Sequence, residues 1–331
     1  MTEEVIEPGV ALWYKLVDSL NDQVYSNTDE LKCLVHYTNF ASFKSIVENN
    51  ELWFSSIDRM NDYNEVRHGK RLVQELVRDD SSEVSTIVRD LMHSYPNQLA
   101  EVDKVFIENS LSDPYDTFIS CWSNCDLVAF QHDNLAMWRS YAADGNGVAI
   151  AIDPKVIQLG TLRYSEITFW PVRYETEHEF AHRCAALLRI FRDALVSLSD
   201  EERNLPASIF ASAFNELLFF LAVTHKHPGF GIEREWRFVW RRSHSSNKYL
   251  EYLKPQISAR GLFEFFCLPL KDDPELANGP ITLDKILTEV MIGPTSDLPH
   301  KHSATLNMLR RAGIDLSRVK VTASSIPYRS S

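Results

Sequence analysis

The sequence contains few cysteines, and they do not form the pattern of a metal site or of a disulfide framework. The five are Cys33, Cys121, Cys125, Cys184 and Cys267, an odd number that includes no Cys-x-x-Cys pair. Cys121 and Cys125 without a second pair are a weak zinc pattern. We therefore expect reduced, mostly buried thiols and a cytoplasmic protein.

The sequence also lacks an excess of positive charge and long apolar runs. Its 34 basic and 46 acidic residues give a formal net charge of −12, which argues against broad nonspecific binding to nucleic acid. No apolar run approaches the roughly 20 residues that a membrane helix needs. The opening MTEEVIEPGV lacks the basic start and apolar stretch of a signal peptide. We expect no membrane partner.

Glycine is sparse as well, and neither of the common glycine-rich nucleotide motifs is present. The chain has 11 glycines in 331 residues, with no dinucleotide-binding fingerprint and no phosphate-binding loop. These absences argue against a Rossmann domain and a P-loop enzyme. A hydrophobic content of 44% with 24% charged residues is ordinary for a globular protein with a sizeable core.

Hydrophobic periodicity and turn residues predict a mixture of strands and helices. We expect strands near 31–37, 52–54, 117–123, 148–152, 168–174, 236–240, 262–268, 288–292 and 320–322. Helices should follow Asn39, Asn134 and Pro299 and occupy 177–198 and 206–224. The uneven order favours an α+β fold over a doubly wound one. We predict a single domain, 1–331, with a mixed, mostly antiparallel sheet and helical insertions near 63–112 and 177–226.

The first candidate site residues are His36, Tyr37 and Thr38, where a predicted strand ends and a helix begins. The first turn of a helix offers unpaired N–H groups and a field that favours phosphate. A neutral histidine there can hold a sugar hydroxyl. The alternative is that Thr38 or Asn39 only caps the helix and that His36 is an inner residue with its hydrogen bonds satisfied.

The second candidate group is Glu233, Glu235 and Arg237 in the segment GIEREWRFVW. If this segment is a strand, its side chains alternate, and the three polar groups share one face. One carboxylate could be held by Arg237, while the other accepts a proton or a hydrogen bond from a ribose. The alternative is a structural ion-pair network.

The third group lies in the short helix AMWRSYA, where Trp138 and Tyr141 are three residues apart and share a side. They could stack on a flat heterocycle, although packing in the core is the commoner role for such residues. Ser120 and Trp122, on the preceding strand, are weaker candidates.

The chain resembles a bacterial family known as domain of unknown function 2971. The resemblance rests on the motifs VHYT, LWFSS, MNDYNE, ISCWS, AMWRSYA with GNGVAIAID, EREWRFV, IGP and SSIPYR, in that order along the chain. They cover residues 78–112 and 175–225 poorly. The family name implies no activity.

A second, looser resemblance is to ADP-ribosyltransferase-like proteins, through His-Tyr-Thr at a strand end, a helix of the pattern F-x-x-I-x-x-N and a later Glu-x-Glu. It implies an ADP-ribosyltransferase-like fold that uses NAD as its substrate. His36 would hold the adenosine-side ribose and phosphates, and Tyr141 or Trp138 would stack on nicotinamide. Glu235 would bind the nicotinamide ribose and stabilise positive charge, while Glu233 would assist the acceptor.

The same resemblance adds Tyr37, Thr38, Ser120 and Arg237 to the NAD-binding residues. The acceptor is not specified: it could be a protein, a nucleic acid or water. A bacterial toxin or a phage-defence effector would fit the family's setting. The main alternative is a module that binds a nucleotide without catalysis, as a sensor or interaction domain.

A further alternative comes from His178, Glu179 and His182, which spell HExxH, the pattern of a zinc peptidase helix. The two histidines would lie one turn apart and Glu179 would be the general base. The charged neighbours Glu175 and Arg183 are unlike the apolar surroundings of a buried zinc helix. We therefore expect no structural or catalytic zinc.

Overall fold

A computed structural model describes residues 15–16, 31–57, 63–100, 102, 116–125, 133–154, 167–244, 247–258, 261–270 and 282–328. The strands are β1 (Leu34–Asn39), β2 (Glu51–Ser56), β3 (Thr117–Asn124), β4 (Gly147–Ile152), β5 (Ile167–Pro171), β6 (Arg173–Tyr174), β7 (His225–Lys226), β8 (Glu235–Arg241), β9 (Leu253–Ser258), β10 (Gly261–Pro269), β11 (Leu287–Ile292) and β12 (Lys320–Ala323). The helices are α1 (Phe40–Asn49), α2 (Tyr63–Arg78), α3 (Glu83–Ser94), α4 (Leu135–Tyr141), α5 (Glu177–Val196), α6 (Asp200–Arg203), α7 (Ala207–Thr224), α8 (Asn247–Leu250), α9 (Leu283–Ile286) and α10 (Leu298–Arg311).

The chain divides into two compact units. One, the helical unit, comprises Met1–Thr28, Arg59–Pro114 and Pro171–Gly231. The other, the sheet unit, comprises Asp29–Asp58, Tyr115–Trp170 and Ile232–Ser331. Both predicted insertions, 63–112 and 177–226, therefore fall in the helical unit. The prediction of one domain stays a prediction.

The sheet unit contains a 10-stranded sheet whose main path runs β12-β11-β4-β1-β3-β2-β10-β9, with β8 paired to β3 and β5. Neighbours along the main path are antiparallel except β11 and β12, which are parallel. The predicted mixed, mostly antiparallel sheet with helices is thus confirmed. Strand β9 was missed in the sequence because Pro255 interrupts its pattern; β9 lies at the sheet edge, where proline is tolerated.

Alternate residues of the central strands face two separate cores. On what we term the α1 face, apolar residues of β1, β3, β4 and β8 pack with Phe43, Ile46 and Val47 of α1. On the α4 face, residues of β1 and β4 pack with Met137 and Trp138 of α4. Helix α1 begins as predicted, because the side chain of Asn39 accepts a hydrogen bond from the backbone N–H of Ser42.

Strand β3 lies where the sheet divides. On one side it pairs with β8 along its length. On the other side its start pairs with β2, through Ile119 and Ser55, and its end pairs with β1, through Ser123 and Val35. Strands β1 and β2 therefore separate beside the middle of β3. This separation leaves the carbonyl oxygen of Cys121 in β3 to accept a hydrogen bond from the side chain of His36 in β1.

The helical unit contains a close contact between α2 and α7. A Cβ atom built on Gly69 of α2 would lie 2.4 Å from the carbonyl oxygen of Ala222 in α7. Helix α7 is the one described helix that is long and apolar enough to cross a membrane, judged by length and composition alone, and 72% of it is buried. A core helix of a globular protein has the same properties.

Replacing Gly69 by Ala is expected to lower the free energy of unfolding by about 1–3 kcal/mol, since α2 and α7 must move apart to admit the methyl group. Thermal and urea unfolding measure the effect. Gly229→Ala is the matched control, because the contacts of a Cβ there would be with the side chain of His227 alone. Equal stability of the two variants would contradict the close helix contact.

Candidate functional site

Glu235 and Arg237 form a buried ion pair at the start of β8. Arg237 donates hydrogen bonds from Nε to Glu235 Oε1 (2.8 Å) and from Nη2 to Oε2 (3.1 Å). The two side chains are 6% and 0% exposed. In the β3–β8 register they lie opposite Ser123 and Cys121, so both point to the α4 face. Two buried charges are tolerated only when they are paired in this way.

Glu233 does not lie on the strand, and the prediction that Glu233, Glu235 and Arg237 share one strand face is wrong. Glu233 ends a 3-10 helix, Pro228–Glu233, and Arg234 follows with a φ of 44° before β8 begins. A positive φ is uncommon for a residue with a side chain, and such strain clusters at functional sites. Because of this turn, Glu233 precedes β8, whereas Glu235 is its first residue.

The partner of Glu233 is Tyr141, whose phenolic hydroxyl donates a hydrogen bond of 2.7 Å to Glu233 Oε1. Tyr141 is the last residue of α4 and is half-buried against the α4-face core. Glu233 itself is 8% exposed. The phenol and the carboxylate are thus held together beside the start of β8.

Trp138 is a core residue. Its side chain is 0% exposed, and its indole N–H donates to Asp133 Oδ1 (2.8 Å). Its ring meets Tyr37 edge to face at 4.9 Å between centroids. Tyr37 is buried too, and this burial raises the pKa of its phenol. Of the two residues proposed to stack on nicotinamide, only Tyr141 has exposed surface.

A segment near the C-terminus holds α4 in place. Asp133, just before α4, also accepts hydrogen bonds from the hydroxyl of Ser324 (2.6 Å) and the backbone N–H of Ser325 (2.8 Å). Tyr328 donates to Asp144 (2.7 Å), which lies in the turn after α4. The motif SSIPYR was noticed in the sequence without a role, and these contacts supply one. Nothing in the sequence pointed to Asp133.

His36 lies in the middle of β1, beside the separation between β1 and β2. Its Nδ1–H donates to the carbonyl oxygen of Cys121 (2.9 Å), and its ring is 5.2 Å from that of Trp122. Through its pairing with Ile150 it belongs to the α1 face, opposite the face that carries Glu235. Burial lowers the pKa of His36, and its hydrogen bond to Cys121 opposes the shift only in part.

Thr38 and Ser120 are buried as well. They are 6% and 3% exposed, and Ser120 accepts a hydrogen bond of 3.0 Å from the indole N–H of Trp122. The structure therefore places Glu235 and Arg237 on the α4 face of β8 and joins Glu233, which precedes the strand, to Tyr141 of α4; it does not place His36 or Ser120 on that face. The roles proposed for all of these residues stay predictions.

His36 is expected to make stability depend on pH. Its pKa is lowered from 6.5 in the folded chain, so the unfolded chain binds more protons below that pH. The stabilising contribution is complete above pH 6.5 and is lost as the pH falls through the folded pKa. Urea unfolding between pH 7.5 and 5 should show a shallower decline for His36→Gln than for the wild type. His93→Gln, on an exposed position, is the control, and a decline equal to that of the wild type in His36→Gln would contradict this role.

The HExxH segment begins helix α5. Glu179 accepts hydrogen bonds from the backbone N–H (2.8 Å) and the hydroxyl (2.7 Å) of Thr176, and the Thr176 hydroxyl accepts from the Glu179 N–H. This reciprocal capping box accounts for Glu179 without a catalytic role, and the hydrogen bonds lower the pKa of its carboxyl. Among the residues that the structure describes, no three His, Cys, Asp or Glu side chains are grouped as metal ligands.

We expect the purified protein to contain no stoichiometric zinc and no peptidase activity that depends on zinc. Elemental analysis of the full chain after dialysis tests this expectation. Tightly held zinc in the wild type that disappears in His178→Ala/His182→Ala would contradict it and would support the peptidase alternative.

Comparison with known proteins identifies one family. Residues 137–238 match the model described as Protein of unknown function (DUF2971). The match contains GNGVAIAID, all of AMWRSYA but its first residue and all of EREWRFV but its last, and it includes residues 175–225, one of the two regions that the motifs cover poorly. The predicted resemblance to this family is confirmed over these residues. No curated protein and no solved structure matches the chain.

Proposed function

We propose that the sheet unit binds NAD and cleaves its nicotinamide glycosidic bond, on an ADP-ribosyltransferase-like fold. The observation that supports this proposal is the pair of buried carboxylates at the start of β8. Glu233 is held by the phenol of Tyr141 and Glu235 by the guanidinium of Arg237. The strained residue Arg234 separates them. Two carboxylates in distinct environments suit two different tasks in one reaction.

In the proposed reaction the electrons of the C–N bond leave with neutral nicotinamide, and positive charge develops on the ribose. Glu235, fixed at a strand end by Arg237, places a carboxylate to stabilise that charge. Glu233 accepts the proton that the attacking acceptor loses. The ring of Tyr141 offers a surface for the flat nicotinamide. His36, on the α1 face, has a structural role in this scheme, as donor to the Cys121 carbonyl.

The direct experiment measures the release of nicotinamide from NAD by the wild-type chain. Liquid chromatography quantifies the nicotinamide formed in reactions with and without protein and nucleic-acid acceptors. We expect release above the spontaneous rate and binding of NAD in a calorimetric titration. No NAD binding and no turnover with any acceptor would contradict the proposal.

A nucleotide-binding module without catalysis is the second candidate. It is favoured by the fact that Glu235 and Glu233 already have protein partners, Arg237 and Tyr141. It predicts that NAD or a related nucleotide binds and is recovered intact. The same titration and chromatography therefore separate the two functions.

A further inference from the structure

Two histidines lie close together on the exposed side of α5. His178 and His182 are four residues apart, so their side chains occupy successive turns on the same side of the helix. Both are exposed. Their Nε2 atoms are 3.2 Å apart, and the ring centroids are 4.4 Å apart with the planes at 79°. The two nitrogens therefore point to one place outside the helix.

We propose that His178 and His182 chelate a divalent transition-metal ion through their Nε2 atoms. A metal–imidazole bond is about 2.0–2.1 Å, so two such nitrogens on one ion are about 2.8–3.4 Å apart for octahedral to tetrahedral angles. The observed distance of 3.2 Å lies within that interval. Without a metal the same distance admits one N–H···N hydrogen bond. The ion replaces that bond when the donor imidazole moves its proton from Nε2 to its own Nδ1 through solvent, which leaves both Nε2 atoms free to bind.

The fixed backbone favours this geometry. Thr176 and Glu179 close a capping box that orders the first turn, and α5 continues to Val196. Since the two rings already stand at a chelating distance, little side-chain freedom is lost on binding. Imidazole ligands favour copper, nickel and zinc, and affinity for a given site is highest for Cu²⁺.

Among the residues that the structure describes, no third His, Cys, Asp or Glu is grouped with the two histidines, so water completes the coordination. Glu179 is engaged by Thr176, and Glu175 forms an ion pair with Arg183 at 2.8 Å. An exposed site with two protein ligands exchanges its ion with the buffer. Such a site is therefore consistent with the expected absence of zinc after dialysis. It differs from the zinc site of a peptidase, which needs a third protein ligand and a free general base.

Calorimetric titration of the full chain with Cu²⁺ tests the proposal. We expect one ion per chain at this site, with affinity reduced by more than about tenfold in His178→Ala and in His182→Ala, since even losing a group that only orients a metal ligand costs that much. His93→Ala/His300→Ala removes two exposed histidines from different helices and should bind as the wild type does.

Melting curves without metal check the fold of each variant, and adding Cu²⁺ should raise the melting temperature of the wild type but not of His178→Ala/His182→Ala. Wild-type affinity no higher than that of His178→Ala/His182→Ala would overturn the proposal. It would also be overturned if His93→Ala/His300→Ala lost as much affinity as the α5 variants.

Discussion

Replacing Glu235 by Gln is expected to lower nicotinamide release from NAD by about 10²-fold or more, the usual effect of losing one electrostatic contact to a transition state. Glutamine keeps the size of the side chain and much of its hydrogen bonding but removes the charge. NAD should still bind, because the variant lacks stabilisation of the developing positive charge rather than the shape of the site. Initial rates and calorimetric affinities, measured side by side, give the two effects.

Glu233→Gln is the matched control, since it makes the same chemical change two residues away. It should reduce transfer to an acceptor more than simple hydrolysis. Because Glu235→Gln removes one charge of the ion pair and keeps the other, Glu235→Gln/Arg237→Gln provides a second test with both charges removed. If either variant that lacks the Glu235 charge is folded and as active as the wild type, Glu235 does not have the role proposed for it.

Arg237→Met is expected to lower the free energy of unfolding by about 3–5 kcal/mol, because it removes one member of a buried ion pair and keeps the Glu235 carboxylate buried. Arg237 is 0% exposed, so solvent does not reach the pair to compensate. Urea unfolding at neutral pH measures the change. Arg241→Met, at the half-buried end of the same strand, makes the same substitution and should cost much less.

A double-mutant cycle measures the energy of interaction between Glu235 and Arg237. Glu235→Leu/Arg237→Met replaces both charges by apolar groups of similar size and should be more stable than Arg237→Met alone, since the two buried charges are removed together. The cycle is completed by Glu235→Leu alone. If the losses in Glu235→Leu and Arg237→Met add up to the loss in the double variant, the hydrogen bonds between Arg237 and Glu235 contribute little to folding.

The strands and main helices could be predicted because their signals are local. Alternating apolar residues mark β3, β4 and β8, and Asn39 and Asn134 cap α1 and α4 as expected. Glu233 was misplaced because its position depends on the backbone of Arg234. A left-handed residue that is not glycine leaves no mark in the sequence.

The composition of the candidate site could be predicted only in part, because it depends on contacts between distant segments. Tyr141 and Glu233 are 92 residues apart, and Asp133 and Ser324 are 191 apart. The side of the sheet that His36 faces follows from register across β4, β1, β3 and β8. A shift of one residue in the β1–β4 pairing would reverse it, and that register joins segments that are far apart in the sequence.

The hydrogen bonds of Asp133 also affect when the candidate site can form during synthesis. The ribosome makes α4 long before it makes Ser324 and Ser325, so Asp133 lacks these partners while the intervening residues are translated. At about 5–20 residues per second, this interval lasts on the order of ten to forty seconds. A nascent chain would therefore hold Tyr141 less firmly against Glu233, and full activity would appear only after residue 328 has emerged.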